Sequence, residues 1–114
     1  ARRSAVVGRS DNQRIADMLM AADEISIVVE RGRSAFDTDV VLRRAMERSL
    51  EIVGEAAKAL SDEFVRSNPA LPTSDLAKVR DRISHHYHRI DPAQLWTIAT
   101  VDIPALAGQL RDLS

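Results

Sequence analysis

Apolar residues recur at three-and-four spacing along nearly the whole chain, and this feature narrows the fold more than any other. From Asn12 to Glu30, Ile15, Met18, Leu19, Ala22, Ile25 and Val29 keep that rhythm. Over "FDTDVVLRRAMERSLEIVGEAAKALSDEFVRSN" it returns in Val41, Ala45, Leu50, Val53, Ala57, Leu60 and Phe64. At about 100° per residue such spacing lines up one side of a helix, whereas a strand needs alternation. Aromatics are only 4% of the chain, and no Asn-Gly or Asp-Gly pair offers a hairpin turn. The chain reads as all-α, a bundle of four to five helices.

Turn chemistry marks the boundaries. Ser10 or Asp11 suits the start of the first helix and Gly32 its stop. Asp37 suits the cap of the long second span, and Gly54 inside it lowers helix propensity by about 1 kcal/mol relative to Ala, tolerable where helices pack closely. Pro69 and Pro72 in "NPALPTSD" break that span, and Thr73 or Ser74 can cap the third helix. "DPAQLW" restarts helix with Asp91 before Pro92, the favoured order. Pro104 is expected to kink or divide the last helix, with Asp102 as a second cap.

With 114 residues, the chain suffices for one core. The expected organisation is a flexible arm over 1–10 and a single helical domain over 11–114. A 45% hydrophobic and 29% charged composition fits a globular protein. No apolar run approaches the roughly 20 residues of a membrane span, and no secretory pattern is evident, so no membrane partner is expected and a cytoplasmic location is the default. Cysteine is absent, which excludes disulfides, thiolate metal sites and a thiol nucleophile. A net charge of -1 lacks the basic excess of a protein that coats nucleic acid.

The chemistry concentrates in "VRDRISHHYHRID", residues Val79 to Asp91, with three Arg, three His and a Tyr. On an ideal helix Leu76, Val79, Ile83, His86 and Ile90 form the buried stripe, and Arg80 and Tyr87 lie within about 20° of each other at its margin. His85 falls about 140° from Arg80, so either the helix unwinds near His85 or a second copy completes the site across a two-fold axis. A guanidinium presents a fixed fork to phosphate oxygens. Imidazole can take a proton from a ribose 2'-hydroxyl or give one to a leaving oxygen near neutral pH. Tyrosine can bond a phosphate, stack on a base or be modified. Metal-independent cleavage of RNA is the simplest reaction this set supports, and no cofactor is called for.

Blander readings stand beside these. His86 suits a core or interface position, His88 and Arg89 suit helix-end charges that offset the dipole, and Arg82 suits the surface. Glu47, Glu51 and Glu55 either face the basic segment as an acidic strip or pair with Arg43, Arg44 or Arg48 along their own helix. Trp96 suits the core or a dimer interface.

"RxxxxHxY", here Arg80, His85 and Tyr87, resembles the motif of the HEPN superfamily, in particular its HepT-like branch. "DNQRIADMLMAADEI", "LEIVGEAAKALSDEF", "NPALP" and "LWTIATVDIPAL" resemble further blocks of that branch in order and spacing, from about Asp11 to Leu110. The resemblance implies a helical toxin of a HepT/MNT-type toxin–antitoxin system, a homodimer whose motif lines a cleft between subunits and cleaves RNA without metal. It implies Arg80 and His85 as the catalytic pair, with Tyr87, Asp81, Ser84 and His88 as substrate-binding or modification positions. It further implies a minimal nucleotidyltransferase partner, an antitoxin that transfers AMP to Tyr87. Asp81 stands where many relatives carry Asn, which sets a carboxylate beside Arg80 and Arg82.

Overall fold

A computed structural model describes residues 9–85 and 90–113, and all regular structure among them is helical. In order these are α1 (Arg9–Glu30), α2 (Arg33–Thr38), α3 (Val40–Ala59), α4 (Asp62–Ser67), α5 (Thr73–His85), α6 (Pro92–Thr97), a π-helical turn (Ile98–Asp102) and α7 (Ile103–Asp112). Most of the expected arm, 1–8, lies outside the described residues, while Arg9 and Ser10 already belong to α1. Gly32, at φ 90°, stops α1 as expected, because that left-handed conformation strains any residue with a Cβ.

The long second span is divided twice. Its cap is Asp39, not Asp37: the Asp39 carboxylate accepts from the Val41 amide at 2.9 Å, while Asp37 pairs with Arg33 at 2.8 Å. Arg43 reaches back to donate to the carbonyls of Phe36 at 3.0 Å and Asp37 at 2.6 Å, satisfying acceptors that a continuous helix would have used. The second break falls at Ser61, whose hydroxyl accepts from the Phe64 amide at 3.1 Å. Asp11 holds Ser61 there, accepting from its amide at 2.8 Å and its hydroxyl at 2.7 Å. Asp11 is thus a buried tie between α1 and the α3–α4 corner and not the cap of its own helix.

Asp91 caps α6 as its position before Pro92 predicts, accepting from the Ala93 amide at 3.1 Å. The closing segment is divided just before Pro104, into α6, the π turn and α7, while Thr97, Ile98, Asp102 and Ile103 all keep right-handed helical angles; Asp102 caps nothing, contrary to expectation. The division is a widening of the helix. The Ile103 amide reaches the Ile98 carbonyl, five residues back, and this turn makes room for a ring that would otherwise meet the carbonyl four residues before it.

α3 is the centre of the bundle, packed against α1 on one side and α5 on the other, with α7 returning against α1. Met18, Ile25, Met46, Leu50, Val53, Phe64, Leu106 and Leu110 are almost fully buried between them. Val41 and Ala45 fail the expected stripe and are exposed, because α3 starts afresh at Asp39 and Leu42 and Met46 take the inward positions of its first turns. Trp96 packs its ring 5.2 Å from that of Phe36, a core role. Among the described residues no helix is long and apolar enough to cross a membrane.

Candidate active site

Gly54 sets the geometry of the motif. A Cβ at that position would collide with the Arg80 Cβ and lie 2.7 Å from the Leu76 carbonyl oxygen, so only glycine lets the backbones of α3 and α5 approach this closely. The close packing anticipated for Gly54 is therefore centred on Arg80. Its side chain is 23% exposed, and its Nε is buried with no hydrogen-bond partner among the described residues.

The guanidinium lies between carboxylates. One nitrogen is 3.2 Å from Asp81 Oδ1 and the other 3.5 Å from Glu55 Oε2. Asp81 Oδ1 is in turn 3.0 Å from Lys58 Nζ, so one oxygen bridges cations from two helices. The Lys58 hydrogen bond is the main reason the Asp81 carboxyl sits below its ordinary value of 3.8; partial loss of water opposes it and Arg80 assists. A turn later the Ser84 hydroxyl donates to Glu51 at 2.6 Å. Arg48 lies 3.6 Å from Glu51 and 3.9 Å from Glu55.

Both readings of the glutamates therefore hold in part. Glu47 pairs with Arg44 along α3 at 3.0 Å, whereas Glu51 and Glu55 meet Arg48 and also face α5. Arg82 stands apart on the exposed side, donating to Gln94 at 3.3 Å.

His85 is exposed and is the last residue of α5, so the helix does not unwind before it. About 140° still separates the two Cα directions. The Arg80 guanidinium is shared between Asp81, which precedes His85 by one turn, and Glu55 of α3. Tyr87 and His88, with His86 and Arg89, lie outside the described residues.

Lys58 is not visible from the motif read along a single helix. Its signal was present all the same, since Lys58 follows Glu55 by three and Gly54 by four and so shares the face of α3 turned to the motif.

Residues 18–113 match the family described as "Ribonuclease HepT-like". Probable ribonuclease HepT of Thermococcus cleftensis is 34% identical over 81% of this chain and 87% of its own length. A candidate RNase of Caldanaerobacter subterraneus subsp. tengcongensis is 34% identical over 79% of this chain and 84% of its own. Another from Methanocaldococcus jannaschii is 36% identical over 68% and 64%. No solved structure matches the chain at comparable significance.

Proposed function

The chain belongs to the HepT-like ribonuclease family, and from that premise we propose that it is a metal-independent endoribonuclease, the toxin of a HepT/MNT-type toxin–antitoxin pair. Arg80 holds the scissile phosphate and offsets the charge that builds on its oxygens. His85 moves the proton. The ribose 2'-oxygen attacks phosphorus, the bond to the 5'-oxygen breaks, and the proton lost by the first oxygen is balanced by one delivered to the second. The products are a 2',3'-cyclic phosphate and a 5'-hydroxyl. The observation that carries this reading is Arg80, seated at the α3/α5 seam by the close approach at Gly54 and still partly open to solvent there.

The working unit in this proposal is a cytoplasmic homodimer. The wide angle between Arg80 and His85 on an unbroken helix supports a second copy that brings its own motif to the cleft. The deciding experiment is cleavage of an RNA panel, tRNA included, in excess chelator beside His85→Ala, with sedimentation to check the dimer. Cyclic-phosphate ends from the parent and at least a ~100-fold slower variant are expected, the usual scale for removing a general acid–base group. An equally active variant removes His85 from the chemistry.

A second reading is favoured by Glu55 and Asp81, which already occupy Arg80. In it the chain is a catalytically weak dimer that docks a minimal nucleotidyltransferase and accepts AMP on Tyr87. Its hydroxyl would attack the α-phosphorus of ATP and release pyrophosphate. The added anion beside Arg80 would repel RNA. Intact mass after co-expression with the transferase separates the readings: uncut RNA with AMP on Tyr87 selects the second.

A further inference from the structure

Asp81 Oδ1 occupies an unusual position. A lone exposed lysine–aspartate pair would carry no message, since such pairs contribute little. Here a single oxygen is shared by Lys58 Nζ at 3.0 Å and an Arg80 nitrogen at 3.2 Å, cations from two helices that Gly54 holds in close approach. A phosphate oxygen has the same charge preference and the same hydrogen-bonding reach as a carboxylate oxygen. The place is open to solvent on the Lys58 and Asp81 side, at 44% and 45% exposure, and closed behind Arg80 at 23%.

We infer that Lys58 and Arg80 together form a two-cation seat for one RNA phosphate, and that Asp81 fills the seat in the free protein and is displaced when RNA binds. The inference rests on the proposed reaction for the identity of the anion, and it adds a binding residue outside the motif. Arg80 supplies the fixed fork and Lys58 the mobile point charge. Asp81 keeps the seat neutral until a polyanion outcompetes it, consistent with a chain whose net charge is only -1.

The two partners of one pair give opposite predictions. If the Lys58–Asp81 contact is merely structural, removing either partner loosens the same contact and shifts RNA affinity in the same direction or not at all. If it is an occupied seat, loss of Lys58 weakens RNA binding and loss of the Asp81 charge strengthens it.

The test is a salt series of fluorescence anisotropy with a labelled single-stranded oligouridine, on full-length protein carrying His85→Ala so that the probe is not cut. Lys58→Gln is expected to weaken binding roughly fivefold and flatten the log–log salt slope by about 0.7, the loss of one single-strand phosphate contact. Asp81→Asn is expected to tighten binding several-fold with the slope kept. Shifts in the same direction, an unchanged slope in Lys58→Gln, or no binding by the starting protein overturns the inference. The binding assay needs no cleavage, so its outcome is independent of whether the reaction occurs. Opposite shifts in a protein that never cuts RNA keep the seat and remove the chemistry, and cutting with both variants unmoved does the reverse.

Discussion

Asp11 and Asp81 are two aspartates that each bind two donors through helix contacts, yet they are built for opposite ends. Asp11 is 4% exposed and accepts from the amide and hydroxyl of Ser61, neutral donors fixed by the backbone of a helix start. Nothing in solution reaches it to compete. Asp81 is 45% exposed and bridges two cations whose own alternative partners include any passing phosphate. Burial makes a carboxylate a tie, and exposure between cations makes it a placeholder.

Substitutions can break that contrast. Asp11→Ala should have the largest effect, a loss of about 3 kcal/mol, because it strips a buried hydrogen-bonded charge and strands the Ser61 donors. Thermal melts should show a fall of roughly 10 °C or more, and a shift of a degree or two would mean that the corner closes without the tie. Gly54→Ala comes next. The added methyl meets Arg80 and Leu76, so overpacking of about 2 kcal/mol net should outweigh the helix-propensity gain, and cleavage should fall with it as α5 is pushed off α3. Full activity in that variant would detach the α3/α5 approach from the site.

Asp81→Asn should barely move the melting temperature while lowering the KM for RNA several-fold, as an exposed pair contributes little stability but competes for the same cations. Its pH behaviour has a definite sign. The folded Asp81 carboxyl sits below 3.8, so its pairing contributes in full above that value and is lost as pH falls below it through the depressed one. Any small stability difference between parent and variant should disappear over that acid range, and a difference that grows there would contradict the pairing.

The helices, Gly32, the Asp91–Pro92 start and the close packing at Gly54 were legible from local spacing. What escaped was decided across distance in the chain. Asp39 replaces Asp37 as a cap because Arg43 folds back onto the carbonyls of α2, and Ser61 breaks the long span because Asp11, fifty residues away in sequence, grips it. Periodicity carries no record of such grips. Lys58 was hidden for the same reason, since its partner Asp81 lies on another helix, 23 residues on. Of the candidate site, Arg80, Asp81 and Ser84 meet Glu51 and Glu55 at one seam, which spacing along either helix alone does not reveal.

The π turn before Pro104 also keeps phase. Held as uninterrupted α-helix, the apolar residues after Ile98 would drift ahead of Leu95 and Ala99, with Ala107 about 120° past Leu95. One residue too many in the turn sets them back by close to one step, and Ile103, Leu106 and Leu110 return to the side that faces the core. The segment thus behaves like an inserted frame that later residues are spelled against. Deleting a single residue within 98–102 would tidy the hydrogen bonding and still turn the two closing leucines by about 100°, so the regular helix would be the misfit.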